Sequence, residues 1–174
     1  MKTLFLLRHA IAKRLSGWEN DFERALTDPG RRAASTIGAL MRDHDRAPSL
    51  AIHSAAYRTS ETWRLVLSEL GVEIPSIADD ALYLAAPEYL FTAVTSTPDQ
   101  HECVLFVGHN PGLHDFALVL LRDGSQEDVA RIHQGYPAGA LVEFQFEIDR
   151  WSDLRPGSGR LEWIVFPRDL QGKS

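Results

Sequence analysis

The sequence predicts an α/β fold on a mostly parallel sheet, and three observations carry that expectation. Two short apolar runs, Leu4-Phe5-Leu6-Leu7 and Cys103-Val104-Leu105-Phe106-Val107, have the length and composition of strands buried on both faces. Strand-like runs alternate along the chain with stretches whose apolar residues recur at helical spacing. Polar residues suited to chemistry stand just past three strand ends, where open α/β sheets gather their ligands.

The first apolar run ends abruptly in Arg8-His9. Residues 11–25 are polar and irregular, with Gly17 and Trp18, and read as a loop beside the site with Trp18 at its mouth. Thr27 or Asp28 can cap a helix whose first turn accommodates Pro29. Ala34, Ile37, Leu40 and Met41 then carry that helix to about Asp43. Residues 48–54 read as a second strand leading through Ser54 to Arg58. Thr59, Trp63, Val66, Leu67 and Leu70 form the buried face of the next helix, which Gly71 ends.

A short strand is expected at 74–78, a turn at 79–83 and a helix at 87–95. The strong strand at 103–107 runs into Gly108-His109-Asn110-Pro111-Gly112, and Leu113, Phe116, Ala117, Leu120 and Leu121 mark a following helix. Residues 123–137 are polar and loop-like, with a helix as the alternative reading. Val142, Phe144, Phe146 and Ile148 alternate with polar residues, as in a half-buried strand, and residues 161–166 form the last strand after a turn at 155–159. These last two strands read as a hairpin at the sheet edge. No repeat or linker divides the chain, so one domain is expected over 1–174.

Composition narrows the function. Hydrophobic residues are 44% and charged residues 24%, enough for a core of ordinary size. The net charge of −6 disfavours a nucleic-acid binder, which needs a basic face. No apolar run reaches membrane-spanning length, and the first is too short for a secretion signal. The single cysteine, Cys103, excludes an internal disulfide framework and suits the cytoplasm.

Gathered at one sheet edge, Arg8, His9, Arg58 and His109 would make a phosphate site. Arginine forks match phosphate oxygens in pairs, and helix N-termini near Arg58 and Gly112 add backbone donors. A neutral histidine can attack phosphorus, and a second, protonated histidine can steady the developing charge. Ser54, Asn110 and Arg24 are further candidate contacts to substrate, though Ser54 also suits a strand end, Asn110 a turn and Arg24 a loop anchor. Arg31 and Arg32 read as a solvated helix face. Cys103 lies inside its strand rather than before a phosphate-cradling loop, which argues against a cysteine phosphatase. His109, His114 and Asp115 lack the spacing of a helical zinc site.

Leu7-Arg8-His9-Ala10, Ser54-Ala55-Ala56-Tyr57-Arg58-Thr59 and Val107-Gly108-His109-Asn110-Pro111 together resemble the three signature blocks of the histidine phosphatase superfamily, in order and each at a strand end. Asp21-Phe22-Glu23-Arg24-Ala25-Leu26-Thr27 and Gly30-Arg31-Arg32-Ala33 are similar to the SixA-type phosphohistidine phosphatase branch. The resemblance implies a three-layer α/β/α sandwich of the phosphoglycerate mutase-like kind. It implies His9 as the phospho-accepting nucleophile, Arg8, Arg58 and His109 as the phosphate pocket, and neither metal nor cofactor. Ala10 stands where the family has glycine.

The acid that larger members use to protonate the leaving group has no clear counterpart; Asp79, Asp80 and Glu88 are candidates by position. A phosphohistidine imidazole leaves more easily than an alkoxide, so a missing acid favours a P–N bond. The expected partner is a phosphorylated protein such as a histidine phosphotransfer domain, and the alternatives are a small phosphoester or a binding module without catalysis. The short chain leaves little room for a lid, so an open site is expected.

Overall fold

The computed structural model describes residues 1–17 and 20–170. Its centre is a seven-stranded sheet of β1 (Lys2–Arg8), β2 (Leu50–Ser54), β3 (Ser76–Asp79), β4 (Cys103–Gly108), β5 (Leu121–Gly124), β6 (Leu141–Phe146) and β7 (Gly159–Val165). The spatial order is β3-β2-β4-β1-β6-β7-β5. β1, β2, β3 and β4 run parallel to one another, β6 pairs antiparallel with both β1 and β7, and β5 runs parallel to β7.

Alternation along the central strands explains the layers. Leu4 and Leu6 of β1 enter one core with Val104 and Phe106 of β4, while Phe5 and Leu7 enter the other with Leu105 and Val107. The first core is closed by α3 (Pro87–Thr95), α4 (Gly112–Leu120) and α5 (Gln126–Gln134), through residues such as Leu90, Phe116 and Ile132. The second is closed by α1 (Asp28–Asp43) and α2 (Tyr57–Leu70), through Ile37, Met41, Trp63 and Val66. The three-layer α/β/α sandwich is therefore present. Thr27 caps α1 as its sequence suggests, its Oγ1 accepting from Gly30 N at 3.1 Å.

Three local readings change. Residues 123–137, read as loop-like with a helix as the alternative, complete β5 and take the helical alternative in α5, which Ser125 caps by accepting from Asp128 N. β5 offers one apolar residue in four and joins β7 by backbone bonds, so side-chain periodicity does not mark it. The antiparallel pair β6–β7 does lie on one flank, with β5 outside it. β6 is buried on both faces rather than one: Glu143, a polar member of the alternation, is 3% exposed and paired with Arg46. Its place between β1 and β7, under helices on both sides, is the reason.

Candidate active site

The parallel strands deliver the sequence-selected residues to one edge. Arg8 closes β1 opposite Gly108 of β4, and His9 N donates to Gly108 O at 3.1 Å, so the residues after both strands advance together. The rings of His9 and His109 lie 5.2 Å apart. Arg58, in the first turn of α2, is 1% exposed and reaches between them. A cleft of about 570 Å³ opens here, lined by Arg8, His9, Asp21, Arg24, Arg58, Tyr83, His109 and Asn110 among others.

Hydrogen bonds fix the tautomer of each histidine. His9 Nδ1 lies 2.8 Å from Ala10 O, a pure acceptor, so Nδ1 carries the proton and Nε2 holds the lone pair. Arg58 Nε donates to that Nε2 at 3.3 Å. Arg58 Nη2 lies 3.2 Å from His109 Nδ1 and can only donate, so His109 carries its proton on Nε2, which donates to Ser54 Oγ at 2.9 Å.

Burial, with the cations of Arg58 and Arg8 acting against the bond to Ala10, pushes the His9 pKa down to about 4. Burial, then His9 and Arg58, push His109 down to about 3. The sequence reading gives His109 a protonated role; burial and its cationic neighbours favour the neutral ring, and an anion in the cleft would favour the charged one.

Arg8 Nη1 and Asn110 Nδ2 both donate to Tyr136 O at 2.9 Å, which holds the two side chains at the cleft wall. Arg8 Nε and Asn110 Oδ1 are buried without a partner, leaving one donor and one acceptor unspent. Arg24 stands at the cleft and on the loop at once. It lines the cleft, and it binds the loop through Lys13 O at 3.3 Å and Asp21 at 3.0 Å. Ser54 is fully buried beside His109 and outside the cleft lining, where its Oγ orients that ring.

The carboxylate at the site is one that sequence reasoning left without a role. Asp21, on a short 3₁₀ turn, accepts from Tyr83 Oη at 2.5 Å and from Arg58 Nη2 at 3.1 Å. Its main-chain O accepts from Arg58 Nη1 at 2.7 Å. The Tyr83 hydroxyl, then the Arg58 and Arg24 charges, hold its pKa below the ordinary carboxylate range. The only signal was its place in the Asp21-Phe22-Glu23-Arg24 segment; nothing local marked Tyr83.

The three positional candidates for an acid are displaced. Asp79 spends its oxygens on Ala81 N and Tyr89 Oη, and neither it, Asp80 nor Glu88 lines the cleft. Glu61, three residues past Arg58 in α2, is buried and binds Arg31 at 2.7 Å and Leu26 N at 2.8 Å. Arg31 thus ties α1 to α2 from a face that stays partly solvated. The expectation for Trp18 lies outside the described residues.

Among the described residues, no cluster of three or more His, Cys, Asp or Glu side chains could hold a metal ion. Likewise no helix is long and apolar enough to cross a membrane.

No family model matches the chain. Two uncharacterized proteins of Mycobacterium tuberculosis, from strains CDC 1551 and H37Rv, are each 29% identical over 164 residues, 93% of this chain and all of theirs. A solved structure from Agrobacterium tumefaciens, provisionally named phosphohistidine phosphatase SixA, superposes with a TM-score of 0.80 at 25% identity, over 95% of this chain and 98% of that one. Its counterpart from Nakamurella multipartitia, provisionally named likewise, gives 0.80 at 27% identity, over 95% and 96%. The protein histidine phosphatase SixA complexed with tungstate shares the fold, at a TM-score of 0.71 and 18% identity over 97% and 99%. Fold and neighbours together make this chain similar in structure to the histidine phosphatase superfamily, and within it to the SixA-type branch.

Proposed function

We propose that the protein is a phosphohydrolase that removes phosphate from phosphohistidine on a protein, through a covalent intermediate on His9 and without a metal. The observation that carries the reading is the state of His9: Nδ1 is tied to Ala10 O, the ring is neutral, and the lone pair of Nε2 faces the guanidinium of Arg58. That is the arrangement a nucleophile at phosphorus needs, with the cation placed to bind the phosphoryl oxygens.

In the first step His9 Nε2 forms a bond to phosphorus as the substrate P–N bond breaks, and the leaving imidazole takes a proton from solvent. Arg8, Arg58 and a charge-responsive His109 offset the negative charge on the phosphoryl oxygens. In the second step water attacks phosphorus, the His9 N–P bond breaks, and the water's proton leaves with solvent. Transfer from one imidazole to another is close to balanced in energy, so it asks little of a general acid. Asp21 suits that limit, since Tyr83 and two arginines keep it ionised. An unactivated alkoxide would need the proton that Asp21 does not hold.

The test is phosphate release in excess EDTA from a phosphohistidine-bearing protein and from p-nitrophenyl phosphate, with His9→Ala as control. Release from the phosphoprotein that disappears in His9→Ala is the expected result. Release from the ester alone would move the substrate to small phosphoesters. Phosphate binding without release from either would make this a binding module.

A further inference from the structure

Leu84 occupies a position that neither conformation nor packing explains. Its φ of 50° lies in the left-handed region, which a leucine rarely adopts. The chain imposes that turn from both sides. Tyr83 before it is fixed in the cleft by Asp21, and Ala85 after it lies against the start of α4. A Cβ at Gly112 would stand 1.8 Å from Ala85 O, so only glycine there permits the approach. Glycine or asparagine at position 84 would take the turn with less strain. Yet a leucine stands there, 54% exposed at the cleft's edge and packed into none of the apolar cores. Strain retained beside a site is a pointer to function.

A second apolar side chain has the same character. Ile11, 45% exposed, lines the cleft from the loop after β1. Its backbone is held on α1, its carbonyl accepting from Thr27 N and Oγ1. Tyr57, 51% exposed, precedes Arg58 at the same sheet edge. Large apolar groups are therefore offered to water around a pocket whose floor is cationic.

We propose that Ile11 and Leu84 form an apolar rim that docks on the protein surface surrounding a phosphorylated histidine. This rests on the reading of the site as a phosphohistidine phosphatase and names what accompanies the phosphate. The occupant follows from complementarity: a phosphate on an apolar protein face matches a cationic pocket within an apolar rim, whereas a small hydrated ester would leave the rim wet.

The test compares kcat/KM for a phosphohistidine-bearing phosphotransfer-type domain with that for p-nitrophenyl phosphate, in wild type, Leu84→Asn, Ile11→Ser/Leu84→Asn and Leu84→Met. The expected result is a protein-to-ester ratio at least tenfold lower in the double variant, arising in KM rather than kcat, smaller in Leu84→Asn and restored in Leu84→Met. Asparagine tolerates the backbone of position 84, and ester hydrolysis reports that each variant is folded. An unchanged ratio, with wild type active on the phosphoprotein, overturns the rim alone. Wild type that hydrolyses the ester but not the phosphoprotein overturns the rim together with the reading beneath it.

Discussion

Arg58 is bonded twice to Asp21, through the main-chain oxygen at 2.7 Å and the carboxylate at 3.1 Å. The same guanidinium also serves His9 and His109. A carboxylate thus stands on the cation that the proposed substrate phosphate would engage, and Tyr83 and Arg24 hold it there.

Asp21→Asn removes a negative charge from beside the anion site. Two unit charges 4 Å apart in water interact by about 1 kcal/mol, so inorganic phosphate should bind about fivefold more tightly to the variant. Turnover should fall, because one of the two bonds by which Asp21 holds Arg58 loses its charge. Calorimetric titration with phosphate checks the first part, and weaker binding by Asp21→Asn would contradict it.

His9→Ala should lower phosphate release by at least about a thousandfold, as removal of a nucleophile does elsewhere. A rapid acid-labile, base-stable phosphoenzyme should form in the wild type and be missing in the variant. Labelling that survives in His9→Ala would place the covalent step on another residue.

Ser54→Ala strips the acceptor from His109 Nε2 in a fully buried position. An unsatisfied buried donor costs about 1–3 kcal/mol, and a chain of this size loses about 2–4 °C of Tm per kcal/mol. Calorimetric melting should show a fall of several degrees, with a smaller effect on KM than on kcat because the ring, not the phosphate, loses its support.

Acid should destabilise the protein well before its carboxylates titrate. His9 falls from an ordinary 6.5 to about 4 and His109 to about 3 in the folded chain. Below pH 6.5 the unfolded histidines bind protons that the folded ones refuse, so stability is full above that pH. It is lost as pH falls towards 4, at about 1.4 kcal/mol per pH unit for each group. Melting curves between pH 7 and pH 4.5 check this, and His109→Gln should flatten the slope. Binding of phosphate should oppose it, by drawing a proton to His109.

Much of the architecture was legible because burial on two faces leaves a plain mark. The runs at 4–7 and 103–107 became β1 and β4, flanked by the expected helices, and the Thr27 cap and Pro29 start held in detail. β5 was not legible and α5 was legible only as an alternative, since an edge strand joins by backbone and a short polar helix shows little periodicity. Glu143 misled the reading of β6, as the partner that makes its burial tolerable, Arg46, is almost a hundred residues away.

For the site, the sequence by itself determined the residue types and their delivery to strand ends: Arg8, His9, Arg58 and His109 follow from where apolar runs stop. Tertiary structure alone decided their states. Which nitrogen of each histidine holds the proton depends on Ala10 O, Arg58 and Ser54 Oγ, two of them about fifty residues distant from the ring they serve. That Asp21 rather than Asp79, Asp80 or Glu88 faces the cleft depends on a loop laid across Tyr83 and Arg58. Hydrophobic periodicity encodes which side of an element is buried, but a hydrogen bond between distant side chains leaves no period in the chain, so it is read only once the fold has brought the partners together.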